Sequence, residues 1–407
     1  MSNSGPQKVV FLFGSGISYK AGMPKLHEIT ERVLCGEGIY YDSGLEIFTP
    51  YKRPIAVVKI QQEEENVRRV VKYLHWLKVE IDNYYEIRKF KQDTNYEDLY
   101  HMVSQIYYSQ VGEYENPAIQ PLIDKMLHEI EFLLSKTNNR PEWTLTEFAR
   151  ATKAYLEDMV FHSLNKQPMS LEYLDCIKRA CKDEDFPKVD IFTLNHDTVL
   201  EKYLKHNGIH FTDGFSEPEG EQNKYWEPSV FSNGAFKICL VKLHGSINWF
   251  RFRLKDATDW SGETIIIPSG MKDSVIAVIT DSQGQIWEAM DLHPKLLIGT
   301  YNTMLDYLSG IYTELHYQFY RSLGNVKQLV ICGYGLGDRG INTQIVNWLY
   351  SSGNRRIILI DPAPEALKNK INSISNKWDM LLSTNKLTII PKGIENVCWQ
   401  ELKDNLF

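Results

Sequence analysis

Long hydrophobic runs are what this 407-residue sequence lacks most plainly. No apolar stretch reaches the ~20 residues that a membrane helix requires, and the start has no charged segment leading into an apolar signal core, so the expected location is the cytosol. Positive charge is also in short supply. Forty-five Lys and Arg residues face 52 Asp and Glu, for a net charge of -7, which offers no general attraction for nucleic acid and argues against broad nonspecific DNA binding. The six cysteines, Cys35, Cys176, Cys181, Cys239, Cys332 and Cys398, are scattered, and only Cys176 and Cys181 lie close together. No second pair completes a four-thiolate zinc site, so reduced thiols are expected. A His-Glu-x-x-His pair, a nucleophile elbow and a lysine-bearing phosphate loop are all missing. Ser246 in "HGSIN" lacks the elbow pattern, metal hydrolysis ranks low and no metal is expected. There is no internal repeat or low-complexity tract.

What is present is a 43% hydrophobic chain, enough for one large core plus a smaller module. The stretch "VVFLFGSGISYKAGMPKLHEIT" sets Val9, Val10, Phe11, Leu12 and Phe13 directly before glycines at Gly14 and Gly16. Five apolar residues in a row predict a buried parallel strand, and glycine then allows a sharp turn or the close approach of a ligand. Leu26, Ile29 and Val33 follow at helical spacing, so strand, turn and helix come in the order that a phosphate site needs. The dinucleotide fingerprint wants glycine three positions after Gly16, where Tyr19 stands. The turn alone is consistent with a ligand site and equally with structure.

From about residue 51 to 188 the character changes. Val67, Val70, Val71, Leu74, Leu77, Ile81 and Tyr84 recur at helical spacing, with further helical patterns near 96–108, 123–134 and 145–164. Successive amphipathic helices can cover one another, so these stripes predict a helical module with its own core. Strands then return at "VDIFTL", "FKICLVKL", "VKQLVIC" and "RIILI". The division expected is 1–49 as the first part of a Rossmann-like core, 50–185 as a helical insertion, and 186–407 as the rest of that core. The segment 217–232 reads as a surface excursion. Apolar strands alternating with helices predict an α/β fold with a parallel sheet, and such sheets bind ligands at their strands' carboxyl ends.

Polar residues fall at those ends. Asn195 could hold ribose hydroxyls or position a water while Asp197 orients its neighbours, or both could cap the following helix. His244 could be a general base, since imidazole titrates near pH ~6.5, or a hydrogen-bonded histidine at the sheet edge. His196 is expected to turn away from whatever Asn195 faces. Gly333, Gly335 and Gly337 follow a strand, with Asp338 ending the turn and Asp361 at the tip of the next strand. There a carboxylate can accept from an adenosine ribose hydroxyl. A helix cap explains Asp338 equally well, and Asn342 reads as a cap before it reads as a ribose contact.

Taken in order, "GSGIS", "AGMP", "TLNHD", "KLHG" and "GYGLGD" with "IN" resemble the motifs of the sirtuin family, most closely a divergent bacterial branch that cleaves NAD in antiphage defence. The resemblance covers the first 35 or so residues and the chain after about residue 186. It carries the family's glycine-rich NAD-binding start onto Gly14, Ser15, Gly16, Ile17 and Ser18, with Gly22 and Pro24 in a loop that would close over NAD. The asparagine that contacts the nicotinamide ribose and water falls on Asn195, its accompanying aspartate on Asp197, and the histidine base on His244. The later ribose-binding turn begins at Gly333, Tyr334 and Gly335. Protein-deacylating members usually have alanine where Ser15 stands, a Phe-Arg pair where this chain has Lys25 and Leu26, and a four-cysteine zinc module after the histidine. None of these is present, which disfavours deacylation.

The resemblance implies hydrolysis of the nicotinamide N-glycosidic bond to nicotinamide and ADP-ribose, with the pyrophosphate gripped by amides around Gly14 to Ser18. It also implies a gate, either a homo-oligomer or a partner such as a HerA-like ATPase or a short Argonaute, with the helical module as assembly surface. Competing readings are an NAD- or ADP-ribose-sensing subunit, an NAD-dependent deacylase and a nuclease.

Overall fold

The computed structural model describes residues 8–50, 57–89, 92–113, 117–137, 141–216, 223–232, 234–257, 262–267, 278–299 and 310–406. The chain starts with β1 (Lys8–Phe13), in which Val9 to Phe13 are at most 1% exposed. At roughly 1.5–3 kcal/mol for each fully buried large apolar side chain, this strand can only lie inside a sheet covered on both faces. Helix α1 (Leu26–Cys35) and a hairpin of β2 (Tyr40–Asp42) and β3 (Ile47–Thr49) come next. Four helices follow: α2 (Val57–Ile87), α3 (Tyr96–Val111), α4 (Gln120–Leu134) and α5 (Leu145–Leu164).

After the helices come β4 (Lys188–Thr193), β5 (Phe211–Thr212), β6 (Phe215–Ser216), β7 (Lys224–Trp226) and β8 (Ile238–Lys242). A run of short strands continues with β9 (Trp249–Leu254), β10 (Glu263–Ile266), β11 (Val278–Thr280) and β12 (Ile286–Ala289). The chain then returns to the core through β13 (Gln328–Cys332), β14 (Arg356–Ile360) and β15 (Leu387–Ile390). Seven strands form one sheet in the order β15-β14-β13-β1-β4-β8-β5, every pairing parallel. The α/β fold read from the sequence is thus the observed one. Strand order reverses beside β1, where the chain leaves toward β4 on one side and comes back as β13 on the other. Open parallel sheets bind ligands at such a switch point.

A second sheet, β11-β12-β9-β10-β7-β6, is antiparallel. The sequence reading did not anticipate it, and β7 lies within the stretch read as an excursion. Its strands are short, and in β9, the longest, burial runs buried, half-buried, half-buried, so the period of two that marks a strand is absent there.

The insertion's helices form where their stripes predicted. In α2, Val67, Val70, Leu74, Leu77 and Ile81 are buried while Tyr84 is exposed. Capping boxes at Asn95 with Asp98 and at Thr144 with Glu147 start α3 and α5. Arg69 is fully buried, donating to the carbonyls of Leu133 and Pro141 with its guanidinium over the Trp143 ring. Ile29, Val33, Tyr41 and Phe48 share the insertion's apolar cluster, whereas Cys176, Ile177 and Cys181 pack with β1 and β4. Among the described residues, no helix is long and apolar enough to cross a membrane.

Candidate functional site

Sheet register assembles the site. Phe13 is level with Thr193 and Cys332, Thr193 with Lys242, and Cys332 with Ile360. Gly14, Gly333 and Asp361 therefore lie one step beyond this row, and Asn195 and His244 two steps beyond it on adjacent strands.

The two glycine turns interlock. Gly14 N donates to Cys332 O at 3.1 Å and Gly16 N to Gly333 O at 2.9 Å. A Cβ on Gly14 would stand 2.6 Å from Gly333 O, and one on Gly333, whose φ is +64°, would stand 2.5 Å from Ile17 N. Backbone meets backbone here, which only glycine allows. The Ile17 amide donates to Gly14 O, so the amides of Gly14, Gly16 and Ile17 are already engaged within the protein. Ile17 points into the core and its carbonyl accepts from Tyr173 Oη, whereas Ser15 is exposed.

Ser18, 1% exposed, joins these turns to β4. Asn195 Nδ2 donates to Ser18 Oγ at 3.0 Å, and the Ser18 side chain is hydrogen-bonded in turn to the Asp197 carboxylate. Because Nδ2 must serve Ser18, the orientation of the Asn195 amide is set by the network. The result leaves Asn195 Oδ1 buried with no hydrogen-bond partner. Asp197 accepts from Val199 N at 2.9 Å just ahead of the Val199–His206 helix, whose N-cap is Thr198. Burial raises its carboxyl above the usual range, and the Lys242 ammonium counters this. Lys242, 2% exposed, donates to the Asp197 carbonyl and pairs with Glu201 at 2.9 Å, tying the Asn195 loop to β8.

His244 Nε2 lies 3.0 Å from Asp338 Oδ2. The other oxygen of Asp338 accepts from Ile341 N at 2.8 Å and caps the Arg339–Tyr350 helix, so Asp338 both starts that helix and orients His244. Gly245, at φ +80°, lets the chain turn under Lys295, whose carbonyl would lie 2.1 Å from any Cβ there. The His196 ring centroid is 6.3 Å from that of His244. Burial, then the nearby His244, push it down to about 3, and it is neutral at ordinary pH.

Other expected site residues also make bonds within the scaffold. The Tyr334 hydroxyl is buried among Asp338 O, Asp338 N and Asn342 Oδ1, and Asn342 Nδ2 donates to Leu336 O. The Tyr334 side chain is thereby committed to its own turn, and Asn342 staples it. Asp361 accepts from Ala363 N, while Lys370 Nζ donates to Gly335 O. Gly22 and Pro24 line an outer hollow of about 510 Å³ with residues of α1 and α5. A larger cavity, about 1150 Å³, separates the insertion from segment 289–297 and contains neither Asn195 nor Ser18. The site is located by its chemistry, not by this cavity. Among the described residues, no group of three or more His, Cys, Asp or Glu side chains could hold a metal.

Two residues escaped the sequence reading. Lys242 had a signal, a lone charge inside the apolar run "ICLVKL". Glu97 had none: it sits in the first turn of α3, where acids are common, yet its carboxyl interacts electrostatically with His244 and Asp338.

Residues 189–383 match the family model for the SIR2-like domain. Among solved structures, a Sir2 homologue in complex with NAD is 8% identical, covering 98% of this chain and 89% of that one with a TM-score of 0.38. A histidine-to-asparagine mutant of a Sir2 homologue in complex with ADP-ribose is 9% identical, covering 98% and 91% with a TM-score of 0.36. No curated protein matches the sequence.

Proposed function

We propose, from the match of residues 189–383 to the SIR2-like domain model, that the protein is an NAD hydrolase, cleaving the nicotinamide N-glycosidic bond with water to give nicotinamide and ADP-ribose. The observation that carries the reading is the buried, unpartnered Asn195 Oδ1. An acceptor held out of water with no partner costs about 1–3 kcal/mol, and a ribose hydroxyl or the attacking water would satisfy it.

NAD would lie at the switch point with its nicotinamide ribose toward Asn195. As the glycosidic bond breaks, neutral nicotinamide leaves and positive character develops at the ribose C1′. Asn195 Oδ1 would hold the ribose and the water, its orientation set by Ser18. His244 would accept the proton released as water bonds to C1′, and Asp338 would stabilise the resulting imidazolium. With three turn amides engaged internally, contacts to the pyrophosphate fall to the remaining turn groups, the exposed Ser15 among them. Antiphage defence by NAD depletion, with turnover gated by self-assembly or by a partner protein, is the biological setting in keeping with this activity.

The test is nicotinamide release from NAD. Replacing His244 with alanine should abolish it while the fold persists by circular dichroism. Undiminished turnover in that variant would remove His244 from the mechanism.

A further inference from the structure

The cavity of about 1150 Å³ between the insertion and segment 289–297 is a little above the ~300–1,000 Å³ usual for small-molecule sites, and its two sides differ in chemistry. On the insertion side it is bordered by the half-buried rings of Tyr107, Tyr108 and Trp143. Charges there are matched within the protein, Arg150 pairing with Glu46 at 2.9 Å and Lys153 with Glu157 at 2.8 Å. The core side carries Arg251 and His293. Asp158 Oδ2 accepts from Phe48 N at 2.7 Å, and its Oδ1 faces His293 Nδ1 at 2.9 Å. This contact uses one ring nitrogen of His293, and the other has no hydrogen-bond partner among the described residues. Burial opposes protonation of His293, but Asp158 holds it up to about 9, so the ring is positive near neutral pH. The Arg251 guanidinium likewise makes no hydrogen bond or ion pair with the described residues. Asn66, 4% exposed, also borders the cavity, and its Oδ1 is buried with no hydrogen-bond partner.

We propose that this cavity is a second small-molecule site, separate from the Asn195–His244 site, and that it takes a nucleoside monophosphate. The flat base would lie against the tyrosine and tryptophan rings. The phosphate would be met by Arg251 and His293, the two cations that the protein leaves with donors to spare. A ribose hydroxyl or a base amino group would supply the donor that Asn66 Oδ1 lacks. A ligand with only one of these parts leaves one side of the cavity unused. The core side also holds the His244 turn, since Leu297 N donates to the His244 carbonyl at 2.9 Å and Ser246 N to the Lys295 carbonyl at 3.2 Å. Lys295 and Leu297 line the cavity, so the two sites adjoin through this segment.

The test is isothermal titration of AMP into the full chain carrying His244→Ala and held in excess NAD, so that the Asn195 site is filled and AMP reports on the cavity. AMP should bind roughly tenfold or more tightly than adenosine or inorganic phosphate titrated alone. Arg251→Ala and His293→Gln, made separately in that background, should each weaken AMP by roughly tenfold or more, the loss of one charge-assisted contact. His293 also braces Asp158, so Arg251→Ala carries the test if His293→Gln does not fold. No AMP binding at millimolar concentration, binding matched by phosphate or adenosine alone, or binding indifferent to the substitutions would overturn the proposal. These comparisons judge the cavity whether or not the wild-type protein hydrolyses NAD.

Discussion

Two neighbouring parts of the sheet's carboxyl edge solve opposite problems. Where β1 meets β13, the glycine turns are satisfied internally: each contact is backbone on backbone, and the amides of Gly14, Gly16 and Ile17 already donate within the protein. Where β4 meets β8, a buried carboxamide oxygen has no partner and an imidazole faces a carboxylate. The difference teaches that a glycine-rich turn is weak evidence for chemistry even when it stands beside the chemistry. Its glycines are explained by close packing, and the functional signal lies in the polar group that packing leaves unsatisfied.

The largest effect should come from the satisfied side. Gly333→Ala forces a Cβ against the Ile17 amide in a left-handed conformation, and roughly 3–5 kcal/mol of stability should be lost in chemical denaturation. A cost below about 1 kcal/mol would mean that the turns are not interlocked. On the unsatisfied side the cost falls on activity. Asn195→Ala should lower nicotinamide release by roughly 10²–10³-fold, while stability falls by only about 1 kcal/mol, the lost bond to Ser18 being partly offset by removal of the orphaned acceptor.

An ion pair away from both turns calibrates the comparison. His293 Nδ1 lies 2.9 Å from Asp158 Oδ1. Burial works against its protonation, but Asp158 prevails and holds it up to about 9, above the ~6.5 of an unfolded histidine. A raised pKa contributes stability in full below pH ~6.5 and loses it as pH climbs through about 9. His293→Asn should therefore cost about 2 kcal/mol at pH 6 and almost nothing by pH ~10, read from denaturation at both values. The smallest effect falls on the residue that joins the two sides. Ser18→Ala should cost about 1 kcal/mol of stability and a larger share of activity, since Asn195 loses the partner that orients it.

The parallel sheet was legible because its strands are continuous apolar runs, and Asn195, Asp197 and His244 could be singled out as candidates because they stand just past the ends of such runs. What stayed hidden depends on tertiary register. Asp338 was read as a cap or a ribose contact, and it is both the helix cap and the partner of His244. Tyr334 was read with a ligand-binding turn, and its hydroxyl closes that turn. Glu97 belongs to a helix legible from its apolar pattern, and nothing local foretells where in the fold that helix begins. The antiparallel sheet escaped because its strands are too short to establish a period.

The most direct measurement is a product analysis of purified protein incubated with NAD, with and without an acetylated lysine peptide. The account predicts equal amounts of nicotinamide and ADP-ribose, unchanged by the peptide and absent in His244→Ala. NAD bound but left intact would contradict it in favour of a sensor. Nicotinamide released only with peptide, alongside acylated ADP-ribose, would contradict it in favour of a deacylase.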